Sequence, residues 1–252
     1  MADNKSGIGI IIVVVAALGL GLSFATGQFA SQSAPDAPPA AQAAAPTAAT
    51  QDPDPSQPTL IVVGDSLSAG YGLASLDQTW VALLQQRLNE QEYGIRVINA
   101  SISGDTSQGG ATRLPAALER HAPIVVVIEL GGNDGLRGIA LDVMQNNFER
   151  MIDASIAAGA KPVLLGMRIP LNYGERYTQA FEQLYVTLSD RYNLPLEPFF
   201  LKDVALDPEL MQSDGIHPTA EAQPLMLERA WPVIQQAIDA QLPRAARSGT
   251  GE

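Results

Sequence analysis

Only two histidines and no cysteine are available for chemistry in this chain, whereas serines recur beside glycines in short turns. A serine hydroxyl is a weak nucleophile at its own pKa, so it reacts only where the fold supplies a base and an anion trap. Residues Thr59 to Gly72 read TLIVVGDSLSAGYG, an apolar run that delivers one serine, Ser66, into a turn. The base follows almost by arithmetic. His121 stands before Ala-Pro at the expected end of a helix, on the edge of the fold away from Ser66, where a histidine interacts well with the helix dipole. His217, in SDGIHPT, is therefore the candidate base. Asp214 lies three residues earlier, with Gly215 allowing a tight turn, so its carboxylate can accept from one imidazole nitrogen while the other faces Ser66. Three donors could form the trap: the Ser66 backbone N–H, the Gly104 backbone N–H, which no side chain obstructs, and the Asn133 side-chain amide. Taken singly, Gly104 could as well serve a turn and Asn133 cap a helix.

Positioning these residues is a task for strands. TLIVV (Thr59 to Val63), IRVINA (Ile95 to Ala100), IVVVIEL (Ile124 to Leu130), PVLLGM (Pro162 to Met167) and the proline-weakened PLEPFF (Pro195 to Phe200) read as five strands, the middle three buried on both faces. Apolar stripes mark helices between them: Trp80, Leu83, Leu84 and Leu88; Met144, Phe148, Met151, Ile152 and Ile156; Phe181, Leu184, Tyr185 and Leu188. A last helix is expected from about Ala220 to Leu242, with Trp231, Ile234 and Ile238 on one side and Pro224 and Pro232 disturbing it. Alternating strands and helices predict an α/β fold of three layers, a flavodoxin-like, doubly wound sheet of five parallel strands. Such sheets place ligands beyond the carboxyl ends of their strands, and GDSLS, SISGDTSQGG, GGNDG and SDGIHPT all fall in loops on that edge.

Composition removes other classes. A formal net charge of −12 argues against a nucleic-acid partner and against a polybasic membrane patch. Without cysteine there is no disulfide, thiolate site or thiol nucleophile. Two distant histidines leave only an all-carboxylate metal site, and Asp65, Asp105 and Asp134, each following glycine or asparagine in a turn, read as loop-bracing acceptors; no metal and no cofactor is expected. Neither a phosphate loop nor G-x-S-x-G is present at the first strand-to-helix turn. Ahead of the folded part, Ile8 to Ala25 carry no charge. Residues 1–30 are accordingly expected to form a signal peptide or an N-terminal membrane anchor, 31–58 an Ala/Pro linker, 59–242 the folded domain and 243–252 a flexible tail.

The motifs GDSLS, SGDT, GGND and DGIHP, in that order, resemble the SGNH hydrolases, also called the GDSL family. That resemblance implies a serine esterase or thioesterase with Ser66 as nucleophile, Asp214 and His217 completing a triad, and Gly104, Asn133 and the Ser66 amide forming an oxyanion hole. Within the family, GDSLSAGYG, NASISGDTSQGG, IELGGNDGLRG and SDGIHPTAEAQP resemble the bacterial multifunctional group that acts as acyl-CoA thioesterase, arylesterase and lysophospholipase. The likeness runs from Thr59 to Leu242. It leaves out the N-terminal segment, which is longer than the short signal usual in that group, so a membrane-held form stands beside a periplasmic or secreted one. Ile102, Leu136, Met167, Ile169 and Pro170, in or beside the active-edge loops, are the candidates for an acyl slot. A small acyl ester or lysophospholipid is the expected substrate for a monomer outside the cytoplasm, with coenzyme A disfavoured because no basic cluster awaits its phosphates. A carbohydrate O-deacetylase and a non-catalytic lipid- or glycan-binding relative are the alternatives.

Overall fold

Strand and helix alternate along residues 57–242, which the computed structural model describes. The expected signal or anchor, nearly all of the Ala/Pro linker and the C-terminal tail lie outside the described residues. Among the described residues five strands form one parallel sheet, β1 (Thr59–Gly64), β2 (Arg96–Asn99), β3 (Val125–Glu129), β4 (Lys161–Leu165) and β5 (Leu196–Glu197), in the order β2-β1-β3-β4-β5. The helices are α1 (Ser66–Ala69), α2 (Trp80–Glu90), α3 (Ser107–His121), α4 (Gly132–Leu136), α5 (Leu141–Ala157), α6 (Glu175–Tyr192) and α7 (Gln223–Gln241). They flank the sheet, α2 against α7, and α5 between α3 and α6. This is the expected three-layer, doubly wound α/β architecture.

Burial follows position in the sheet rather than apolarity of the run. Central β1 and β3 are buried throughout, Leu60 to Val63 and Val125 to Ile128 all being inaccessible. β2 corrects the expectation of burial on both faces: it is an edge strand, only half-buried, and Asn99 faces solvent. A run of β-branched residues reports strand propensity but not whether a neighbour lies on each side. The proline-weakened fifth run pairs only at Leu196 and Glu197.

The helical stripes pack as their period demands, with two adjustments. On α5, Met144, Phe148, Met151 and Ile152 are buried, but Ile156 is 47% exposed, because Ser155 takes the inward place in the last turn and donates to the Met151 carbonyl. Pro224 does not disturb α7; it lies in the first turn, where a missing N–H costs nothing, so the helix begins at Gln223. Pro232 does fall inside α7. Among the described residues no helix is long and apolar enough to cross a membrane.

The chain leaves β1 for β2 on one side and then crosses to β3 on the other. Strand order therefore reverses at β1, and a crevice opens beyond the carboxyl ends of β1 and β3. The segments that follow β1, β2 and β3 carry Ser66 at the start of α1, Gly104 in a turn and Asn133 in α4.

Candidate active site

Ser66 is the first residue of α1, presented by a turn that Asp65 holds on both sides. The Asp65 carbonyl accepts from Ala69 N–H at 2.9 Å, and its carboxylate Oδ1 caps the helix by accepting from Leu67 N–H at 3.1 Å. Gly70, in the left-handed region, ends the helix after one turn. The Ser66 hydroxyl thus stands at the rim of the sheet.

The base arrives from the loop before α7. His217 Nε2 lies 2.9 Å from Ser66 Oγ, and its Nδ1 lies 2.7 Å from Asp214 Oδ2. Asp214 Oδ1 accepts from the backbone N–H groups of Ile216 (2.9 Å) and His217 (3.0 Å), so one carboxylate holds both the ring and the loop that bears it. The hydrogen bond from the His217 ring, then those backbone N–H groups, hold the Asp214 carboxyl down at about 2. With Asp214 anionic on Nδ1, the ring carries its proton there and turns a lone pair toward Ser66, the tautomer a general base needs.

Two residues that sequence reasoning did not single out secure this loop. Gln212 donates to the Tyr71 carbonyl (2.8 Å) and to the Pro218 carbonyl (3.0 Å), tying the histidine loop to the segment that follows Ser66. The Tyr71 ring lies 4.4 Å from the imidazole, centroid to centroid. Neither contact leaves a local sequence signal, since Gln212 reaches back 141 residues.

The anion-trap candidates occupy different settings. Asn133 lies inside α4, whose N-cap is Gly131, so the helix-cap reading of Asn133 does not hold. Its amide nitrogen donates to Asp65 Oδ2 at 3.0 Å, and the residue lines the same cavity as Ser66 and His217. Gly104 is the third residue of a turn closed by Asp105 N–H on the Ile102 carbonyl (3.0 Å), with φ +79°, a conformation that favours glycine. The closing bond uses the Asp105 N–H and leaves the Gly104 N–H outside it. Gly104 is not among the residues lining the cavity.

The aspartates expected to brace loops do so. Asp134 accepts from the N–H (2.8 Å) and hydroxyl (2.5 Å) of Ser107, joining α4 to the start of α3. Asp105 accepts from Arg113 Nε at 2.7 Å, and the same guanidinium donates to the Gly64 and Ala100 carbonyls, gathering the ends of β1 and β2. His121 ends α3, and its carbonyl accepts from the Thr59 hydroxyl (2.8 Å) at the opposite edge.

A cavity of about 550 Å³ opens beside Ser66. Leu136, Met167, Ile169 and Pro170 all line it, whereas Ile102 does not: it is 55% exposed, because its N–H on the Gly64 carbonyl and its carbonyl in the turn direct the side chain to solvent. Phe199, Leu201, Leu206, Met211 and Ile216, not anticipated, also line it. Among the described residues no cluster of three or more His, Cys, Asp or Glu side chains could hold a metal ion.

Burial raises the Asp65 carboxyl to about 6, against the hydrogen bonds from Leu67 N–H and the Asn133 amide. The folded state therefore binds this proton more readily than the unfolded chain, whose ordinary value is 3.8, and the group's contribution to stability grows as pH falls through about 6. Accordingly, the Tm of wild type minus that of Asp65→Asn is expected to become more positive between neutral and mildly acidic pH. A difference that stays flat or falls in differential scanning fluorimetry would contradict the shift.

The described geometry joins a serine, an imidazole and a carboxylate in one line of hydrogen bonds at the mouth of an apolar cavity, an arrangement able to transfer an acyl group. Residues 62–224 match the model of the GDSL-like Lipase/Acylhydrolase family. The esterase TesA of Pseudomonas aeruginosa is 52% identical over 180 residues, covering 71% of this chain and 89% of that protein. Thioesterase 1/protease 1/lysophospholipase L1 of Escherichia coli is 46% identical over 170 residues, covering 68% and 80%. Among solved structures, the psychrotrophic esterase EstA of a Pseudoalteromonas species, inhibited by monoethylphosphonate, is 42% identical with a TM-score of 0.68, covering 72% of this chain and 98% of that one. With its sheet order, its motif-bearing loops and these relatives in agreement, the chain belongs to the GDSL-like lipase and acylhydrolase family and is an enzyme with the fold of the SGNH serine hydrolases.

Proposed function

We propose that Ser66, His217 and Asp214 form the catalytic triad of a hydrolase acting on acyl esters, thioesters and lysophospholipids. The observation that carries this reading is the unbroken line from Asp214 through His217 to Ser66, with links of 2.7 and 2.9 Å, beside the apolar cavity. Ser66 Oγ attacks the carbonyl carbon while His217 Nε2 takes its proton. The carbonyl oxygen, now negative, is held by the Asn133 amide and the backbone N–H groups of Ser66 and Gly104. His217 then returns the proton to the departing alcohol or thiol, leaving an acyl group on Ser66, and water follows the same route to release the acid.

Leu136, Met167, Ile169 and Pro170 are proposed to hold the acyl chain. A cavity of about 550 Å³ is of the size that buries a drug-sized ligand, far more than an acetyl group needs, and this favours a long acyl chain over carbohydrate deacetylation. The names of the relatives, esterase, thioesterase and lysophospholipase, agree with that choice. The catalytic domain is proposed to span residues 59–242 and to act outside the cytoplasm, exported or held at the membrane by the uncharged run Ile8 to Ala25.

Comparing p-nitrophenyl acetate, a long-chain p-nitrophenyl ester, lysophosphatidylcholine and acetylated xylan tests the substrate class. The kcat/KM is expected to rise by about tenfold or more from acetyl to longer acyl chains, with fatty acid released from lysophosphatidylcholine. Faster release of acetate from xylan than of fatty acid from either lipid-like substrate would contradict it.

A further inference from the structure

Beneath Ser66 lies a carboxyl with no part in the reaction as described. Glu129 ends β3, is wholly inaccessible to solvent and takes part in none of the ion pairs found among the described residues. Its Oε2 accepts from the Ser68 hydroxyl at 2.6 Å and, at 3.4 Å, from the Asp65 backbone N–H; its Oε1 has no hydrogen-bond partner in the protein. Ser68 in turn accepts from Trp80 Nε1–H at 3.1 Å, which leaves its own proton and one further lone pair for the contact with Glu129. Space is kept for this carboxyl: a Cβ on Gly64 would stand 2.6 Å from Glu129 Oε2 and 2.7 Å from Ser68 Oγ.

The neighbouring charged and titratable groups offer Glu129 no cation. Asp65, at the N-cap of α1, is itself buried. Tyr185 of α6 donates to the Leu130 carbonyl (2.8 Å), and Arg113 of α3 is taken by Gly64, Ala100 and Asp105. Asp105, Asp134 and His217 act on Asp65 or Tyr185 only through their fields. Two adjacent carboxyls out of water and without a cation cannot both ionise, since each charge would be desolvated and repelled. Asp65 receives the Leu67 N–H and the Asn133 amide, both of which favour its anion. Glu129 also accepts two donors, but both fall on Oε2, one of them at 3.4 Å, and its Oε1 is bare, so it is the better place for a proton.

That choice matters to Asn133. An anionic Asp65 can only accept, so it draws the amide nitrogen rather than the amide oxygen, and the second hydrogen of that NH2 remains for the cavity. We propose that Glu129 is a positioning residue held as the neutral acid: it carries the single proton of a buried two-carboxyl floor, leaving Asp65 as the anion that fixes the Asn133 amide as a donor. This rests on the reading of Asn133 as part of the anion trap.

Infrared difference spectroscopy of wild type minus Glu129→Gln at neutral pH should show a protonated-carboxyl C=O band, which Asp65→Asn retains. Glu129→Ala should lower kcat by about tenfold to a hundredfold at nearly constant KM, through misplacement of the turn that bears Ser66 and Asn133. Glu129→Gln, neutral and of the same shape, should restore kcat to within about threefold of wild type. Asn133→Ala should lose about 10² to 10³ in kcat. A wild-type spectrum without the band, or a folded Glu129→Gln as impaired as Glu129→Ala, would overturn the proposal while leaving the role of Asn133 intact. Wild-type kcat in Asn133→Ala would overturn both. The band is read in wild type even if Glu129→Ala fails to fold.

Discussion

Ser66→Ala is expected to lower kcat for a p-nitrophenyl ester by about five to six orders of magnitude. Among the described residues the hydroxyl is the hydrogen-bond partner of His217 Nε2, at 2.9 Å, and alanine leaves the imidazole with no side chain there to deprotonate. Residual hydrolysis should still exceed the uncatalysed rate by about 10³ to 10⁴, because the anion trap and the cavity remain. Stability should hardly change. The lost hydroxyl contributes one hydrogen bond, worth about 1 kcal/mol net, and in a domain of this size that moves Tm by about 2 to 4 °C. A variant that unfolds would not test the chemistry, so circular dichroism and Tm belong with the kinetics.

His217→Ala is expected to cost a similar factor, about 10⁵ to 10⁶ in kcat. It removes the base itself and strands Asp214, whose carboxylate keeps only the Ile216 and residue-217 backbone N–H groups. The sharper expectation concerns the pair. Serine and imidazole act as one unit, so the double variant should be no slower than either single variant. If the losses multiply, the two side chains act independently and the line of hydrogen bonds is not a catalytic relay. Initial rates at saturating ester, with active-site concentration fixed by absorbance, decide between these outcomes.

How much of this was legible depends on the reach of each interaction. β1 and β3 announce themselves because short runs rich in β-branched residues read as strands, β3 as one buried on both faces, and the glycine-rich turns after them can be placed by their strands. The union of Ser66 with His217 could be read because the chain offers only two histidines and topology sends one to the far edge. The edge position of β2 could not, because run composition does not encode which strand will lie beside it. Pro224 misled because a proline is a breaker inside a helix but a good first-turn residue, and the difference rests on where the helix begins. Glu129 had a signal: a carboxylate closing an otherwise apolar run is out of place on a buried strand. Its side-chain partner Ser68 lies 61 residues earlier, and Trp80, which donates to Ser68, lies 49 residues earlier, and nothing local marks either. Arg113 and Gln212 likewise act over distances that only the folded chain closes.

The most direct test of Ser66 as the nucleophile is labelling of the folded protein with a fluorophosphonate, followed by peptide mass spectrometry. One phosphonyl adduct per chain is expected, on the peptide that carries Ser66, with none in Ser66→Ala or His217→Ala. An adduct on another residue, or ester hydrolysis that survives with Ser66 unmodified, would contradict it.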